Sequence, residues 1–222
     1  MSAYFADSSF QGEYRPMLEF EVLEGVQLGG RLSEIAKLRI AVFREFPYLY
    51  SGSEAYEEAY LRRYVEAPGS AVVLALHEGA VVGCSTCIPL SAEPEAVSGG
   101  FPRAGYPIEQ VFYFGESILL PQFRGLGAGV EFFRRREAHA LSFPGVRYTA
   151  FCAVVRPADH PRRPPSYVPL DAFWRKRGYV PVPGLLAQMS WQEVGEEVES
   201  EHDLQFWIKD YGEGRSSSEI SA

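Results

Sequence analysis

The chain has 222 residues, 46% of them hydrophobic, and a formal net charge of −8 at pH 7. That length and apolar share suit one globular domain with a substantial core, and the acidic balance offers no basic face to nucleic acid. No apolar run reaches membrane-spanning length and Met1–Asp7 lacks a charged region ahead of an apolar stretch, so neither a membrane partner nor a secretory leader is expected, and a cytoplasmic enzyme is the default.

Residues 1–16 are polar and aperiodic and read as a flexible tail ahead of a single domain over 17–210. Leu18–Val22 alternates apolar with acidic residues, the pattern of a half-buried strand. Beyond Gly29-Gly30, the residues Leu32, Ile35, Leu38, Val42, Phe43 and Phe46 recur at helical spacing and predict a helix over Ser33–Phe46. An aromatic turn, Pro47–Gly52, leads to a second helix over Ser53–Glu66, opened by a serine cap and stopped by Pro68-Gly69. Ala71–His77 and Ala80–Leu90 flank Glu78-Gly79 as a β-hairpin. The Pro-, Gly-, Ala- and Glu-rich segment 91–109 is a long loop, either disordered or part of a binding site.

Val111–Leu120 is apolar and aromatic, as in a buried strand. It stops at Pro121, and Arg124-Gly-Leu-Gly-Ala-Gly129 then runs into a helix over 126–141. Val146–Val155 is another buried strand, Arg156–Pro165 an irregular loop, and Leu170–Arg177 a short helix ended by Gly178. Leu185–Glu193 reads as a strand and the alternation through Leu204, Phe206 and Ile208 as a last one. The acidic run between them, Glu193 to Asp203, reads as a solvated loop, and 211–222 as a disordered tail. The order is β-α-α-β-β-β-α-β-α-β-β, with no internal repeat and no linker.

Three cysteines, an odd number, fit a reducing compartment. Cys84-Ser-Thr-Cys87 has redox or zinc spacing, but residues three apart in a strand face opposite sides, and no second pair completes a zinc site. Both are expected to be buried packing residues, with no bound metal.

Glycines between a strand end and a helix start let the backbone approach a ligand, and the helix N-terminus favours phosphate. A Walker loop would need Gly-Lys-Ser/Thr, which is missing, and the third glycine of a dinucleotide fingerprint would fall on Val130. The remaining pattern, Arg124-x-x-Gly127-x-Gly129, resembles the acyl-CoA pyrophosphate loop of the GNAT superfamily of N-acetyltransferases, Arg/Gln-x-x-Gly-x-Gly/Ala. The element order is similar to that family's. So is Leu170-Asp-Ala-Phe-Trp-Arg-Lys-Arg-Gly178-Tyr179, which resembles Ala-x-x-Phe-Tyr-x-x-x-Gly-Phe/Tyr with Leu170 for the alanine and Trp174 for the tyrosine.

The resemblance implies an α/β (α+β) GNAT fold: a mixed, mostly antiparallel seven-stranded sheet flanked by about four helices and splayed between strands four and five. It implies acetyl-CoA as co-substrate, with main-chain groups of Ser117, Ile118 and Leu119 holding pantetheine. Amides of Gly125, Leu126, Gly127, Ala128, Gly129 and Val130 would hold the pyrophosphate, and Arg124 either adds charge or anchors the loop. The activity implied is acetyl transfer to a primary amine of a small molecule or peptide by direct attack in a ternary complex. The alternative is a catalytically degenerate acyl-CoA-binding sensor or interaction module.

Glu116, an acid in an otherwise apolar strand beside the notch, is the candidate base, or else a glutamate paired with an arginine or facing water; Tyr113 is a weaker candidate. Trp174 cannot protonate a thiolate, which leaves Tyr179, Tyr167 or Cys152 as the acid, or none. The acceptor amine would meet Phe46, Tyr48, Tyr50, the 91–109 loop and His160, and a homodimer is left open.

Overall fold

The computed structural model describes residues 16–212. Five α-helices are present there: α1 (Leu32–Phe43), α2 (Glu54–Glu66), α3 (Glu95–Ser98), α4 (Ala128–Leu141) and α5 (Asp171–Arg175). The strands are β1 (Glu19–Glu24), β2 (Ala71–His77), β3 (Ala80–Pro89), β4 (Val111–Tyr113), β5 (Ser117–Leu119), β6 (Tyr148–Val154), β7 (Val180–Gln192) and β8 (Glu199–Asp210). They form one sheet in the order β1-β2-β3-β4-β6-β8-β7, with β5 paired to β3 beyond β4. Among the described strands, β4 and β6 are parallel and the other pairs antiparallel. Counted as one interrupted strand, β4 and β5 give the expected seven. The expected tails lie outside the described residues, apart from Pro16 and Tyr211-Gly212; the Tyr211 N–H bonds to the Arg147 carbonyl at 3.0 Å.

Period-2 alternation distributes the core over both faces of the sheet. On β6, Ala150 and Cys152 face α1 and α2 with Ile35, Leu61 and Ile118. Phe151 faces the other way and joins Phe112, Phe114, Phe133, Tyr179 and Trp207 under α4. Each of these aromatics contributes about 1.5–3 kcal/mol by leaving water. The Ser53 hydroxyl caps α2 by accepting from the Tyr56 N–H at 3.4 Å, as the sequence predicts.

Two expectations are corrected. Segment 91–109 is built of short helical turns whose Phe101 is fully buried, 4.8 Å from the Phe206 ring. Its Glu93 pairs with Arg63 of α2 at 2.9 Å. Turns this short show no sequence period, so only their burial identifies them. The acidic run is a loop for only half its length: β8 starts at Glu199, and Ser190 pairs with Glu201. That end of the hairpin carries mostly polar residues on both faces, so no alternation marks it.

Candidate functional site

The site is organised by a break at Gly115. The Gly115 N–H donates to the Thr86 carbonyl at 3.2 Å, and the Thr86 N–H donates to the Glu116 carbonyl at 3.0 Å. Two residues thus oppose one of β3, which is a β-bulge. Side-chain alternation slips by one residue there. Phe112 and Phe114 face α4, while Tyr113 and then Glu116 face α1 and α2. Only glycine fits at 115, because a Cβ would lie 2.2 Å from the Tyr64 hydroxyl and 2.6 Å from Thr86 Oγ1.

Past the bulge the sheet opens. The Phe114 N–H still donates to the Ala150 carbonyl at 2.7 Å, but β5 pairs with β3 alone and β6 continues with β8. The Leu120 N–H bonds to the Val82 carbonyl at 2.9 Å. With the Thr86–Glu116 bond, this assigns the Cys84–Ile118 pair to the hydrogen-bonded set of β3 and β5. Ser117 and Leu119 therefore turn their peptide groups into the opening, and the Ile118 main chain is taken by β3. On the facing strand, the Val155 N–H bonds to the Asp203 carbonyl at 2.9 Å, which leaves the Cys152 and Val154 peptide groups directed into the same notch.

The glycine loop lies just beyond β5. Gly125 (φ +80) and Gly127 (φ +90) are left-handed, and a Cβ at either would meet nothing within 4 Å. Backbone conformation, not crowding, selects glycine at both. At Gly129 a Cβ would lie 3.0 Å from the Phe173 ring, so this glycine lets α5 approach α4. Among the described residues, the amides of Gly125, Leu126, Gly127, Ala128 and Gly129 have no acceptor, whereas the Val130 N–H bonds to the Gly127 carbonyl at 3.0 Å. Unpaired amides at the start of a helix with open space before them fit a pyrophosphate. Arg124 anchors the loop through the Leu119 carbonyl at 3.2 Å and Glu45 at 2.9 Å.

Glu116 is 6% exposed and lies 2.7 Å from Arg39 Nη1 of α1. Arg39 Nε also donates to Glu57 of α2, which is fully buried. The guanidinium rests 4.2 Å from the Tyr60 ring centroid. Burial lowers the Arg39 pKa, but Glu116, with Tyr60 and Glu57, outweighs it and holds the guanidinium well above its usual range. One cation thus serves two carboxylates. Tyr113 donates to or accepts from Cys152 Sγ at 3.1 Å, and burial raises the pKa of both.

Two of the expected acceptor segments, 46–50 and 156–165, meet. Arg156 donates to the Pro47 carbonyl at 2.7 Å and the Tyr48 carbonyl at 3.1 Å, and pairs with Glu193 at 2.6 Å. Arg162 pairs with the same glutamate. The Phe46 ring lies 5.5 Å from His160 and 4.7 Å from Tyr167. Tyr48 packs 4.7 Å from Phe43, and both Tyr48 and Tyr50 rest against the core on the α1 and α2 side, so these two tyrosines belong partly to the core.

Tyr179 is not brought to Glu116. It is fully buried on the α4 face, with its hydroxyl 2.7 Å from Thr149 Oγ1 and 3.1 Å from Glu137. Trp174 packs 5.0 Å from both Phe151 and Trp207. Cys84 and Cys87 lie in the cores on opposite faces of the sheet, and no group of residues able to hold a metal occurs among the described residues. Arg39, Glu57 and Arg136 were not singled out by sequence reasoning. Their signal was there: each is a charge set in an apolar helical stripe, such as Glu57-Leu61-Tyr64 or Phe132-Arg136-Ala140.

No protein-family model and no curated protein matches the sequence. The fold, however, is similar to solved acetyltransferases. Ribosomal-protein-alanine N-acetyltransferase from Brucella melitensis superposes with a TM-score of 0.56 at 15% identity, over 86% of this chain and 99% of that one. YncA from Salmonella typhimurium, solved with its cofactor acetyl-CoA, gives 0.55 at 13% identity, over 90% and 96%. An acetyltransferase of the GNAT family from Streptococcus pneumoniae gives 0.52 at 14% identity, over 88% and 100%.

Proposed function

We propose that this chain, which has the fold of the GNAT acetyltransferases, is an acetyl-CoA-dependent N-acetyltransferase acting on a primary amine of a small molecule or peptide by direct attack in a ternary complex. The observation that carries the reading is the continuity of two backbone surfaces, the opened edge formed by the Ser117 peptide groups and the Leu119 N–H, and the free amides of Gly125–Gly129. An extended amide-bearing arm ending in a pyrophosphate matches both at once. Acetyl-CoA, when bound, supplies the activated acetyl group; the chain binds, orients and moves protons.

In this reading Ser117 and Leu119 hold the pantetheine arm as an added strand would. Ser117 N–H is the donor for the oxyanion of the tetrahedral intermediate. The incoming ammonium has to lose a proton before it can attack, and the Glu116 carboxylate takes it, directly or through water. Arg39 is shared between Glu116 and Glu57, so it pairs with two carboxylates at once. The tyrosine hydroxyls at 113 and 179 are engaged inside the protein. In this reading the thiolate departs without a proton from either of them, as a fair leaving group can.

Gly127→Glu tests the reading, because it sets bulk and negative charge where the pyrophosphate would sit. Acetyl-CoA affinity measured by calorimetry is expected to fall at least about a hundredfold, with the circular dichroism spectrum kept. Unaltered affinity sinks the assignment. Glu116→Gln is expected to lower kcat most at neutral pH and least at high pH, where the amine is already free. Sequestration of Tyr179 and the tryptophan at 174 favour a second reading, acyl-CoA binding without turnover. Tight binding with no CoA release on any of a panel of amines would select it.

A further inference from the structure

Arg136 is 2% exposed in the middle of α4. Its guanidinium lies 4.3 Å from the Phe114 centroid and 5.0 Å from that of Phe133, and it makes no ion pair among the described residues. Its hydrogen bonds go to three backbone carbonyls: Nε to Phe132 at 3.3 Å, and Nη1 to Thr86 at 3.3 Å and Glu116 at 3.2 Å. The last two are the carbonyls of the bulge. Each already has a backbone donor, Gly115 N–H for Thr86 and Thr86 N–H for Glu116. The bulge is therefore fully hydrogen-bonded without Arg136. Taking an arginine out of water costs several kcal/mol, and an apolar residue would complete the Phe132–Ala140 stripe. The charge is surplus to the fold.

The Glu116 carbonyl and the Ser117 N–H belong to one planar trans peptide and point in opposite directions. The oxygen end faces β3 and Arg136, and the N–H end faces the notch. We propose that Arg136 is a positioning residue that polarises the Glu116–Ser117 peptide and thereby strengthens the Ser117 N–H as the donor to the thioester carbonyl and its oxyanion. Hydrogen bonds in series reinforce one another, and a cation at the carbonyl end draws electron density away from the N–H. The donor is fixed before substrate arrives, which is what preorganised stabilisation of a developing charge requires. The proposal rests on the acetyl-CoA reading above and adds to it a residue on the far side of the sheet from the acceptor.

The test is infrared spectroscopy of acetyl-CoA carrying a carbon-13 thioester carbonyl, bound to the wild type, Arg136→Met and Arg136→Lys. In the wild type the bound carbonyl band is expected at lower wavenumber than in water. In R136M the band moves back toward its position in water while affinity for acetyl-CoA changes less than about twofold, and kcat falls about tenfold at unchanged KM. R136K, which keeps the charge, retains most of the displacement. Identical bands in wild type and R136M overturn the proposal and leave the acetyl-CoA reading standing. Should R136M not fold, the folded wild type decides: a bound band at the position found in water overturns the proposal. A wild type showing no bound band at all overturns the acetyl-CoA reading, and this proposal with it.

Discussion

Two buried arginines flank the same bulge, and they are held in opposite ways. Arg39 reaches it from α1 and touches the Glu116 carboxylate, sharing its charge with Glu57. Arg136 reaches it from α4 and touches the Glu116 carbonyl, lying against aromatic faces and peptide dipoles with no ion pair among the described residues. Remove Arg39 and two carboxylates stay buried without a counter-ion. Remove Arg136 and every backbone group of the bulge keeps a partner. The first arginine is therefore a requirement of folding. The second is a cost the fold bears without a structural return.

The largest expected effect breaks the comparison at its stronger end. Arg39→Met is expected to lose about 3–5 kcal/mol of stability in urea unfolding, because it strands two buried acids. Adding Glu57→Gln and Glu116→Gln to it should recover part of that loss, since a buried amide costs less than a buried charge. Arg136→Met should change stability by less than about 1 kcal/mol, because no buried group loses its only partner and the apolar side chain fills the stripe. Equal costs for the two arginines would erase the distinction. Gly115→Ala acts on the bulge between them. The methyl meets the Tyr64 hydroxyl and Thr86, so about 1–3 kcal/mol of stability should go, with turnover lost beyond what the fraction unfolded explains.

The smallest effect lies away from the bulge and is a control on its electrostatics. His202 stacks on Trp191 with centroids 3.8 Å apart, and its pKa is lowered from 6.5 by burial first and by Arg156 second. A depressed histidine contributes stability that is present above the unfolded value of 6.5 and lost as pH falls through the folded one. The urea midpoint of the wild type should decline on acidification in that window, and His202→Gln should flatten the decline. The R136M variant should keep the wild-type slope there.

Much of the fold was legible because periodicity and glycine carry it. The helical stripe from Leu32 to Phe43, the Glu78-Gly79 hairpin turn and the loop at Gly125 and Gly127 each have one physical reading. The bulge did not, since a lone Gly115 in an apolar run looks like any other strand glycine, and nothing local says which face Glu116 takes. The buried helix charges were passed over for another reason. Arg39, Glu57 and Arg136 occupy core positions of helices, where a pattern of apolar spacing passes over charges. Glu193 was assigned to a solvated run, yet it ties Arg156 and Arg162 to the end of β7, because pairing at long sequence distance leaves no trace in composition.

The three cysteines have a practical consequence. Cys84 and Cys87 sit in separate cores on opposite faces of the sheet, and Cys152 lies behind Tyr113. Burial holds the Cys84 thiol well above its usual range and pushes Cys87 and Cys152 up to about 12. A thiolate-seeking dye should therefore find none of them in the native protein and all three after unfolding. In an assay of the proposed acetyl transfer, released CoA would then be the one nucleophilic sulfur in the cuvette. A colorimetric thiol reagent could stay in that reaction from its start, with no background from the protein itself.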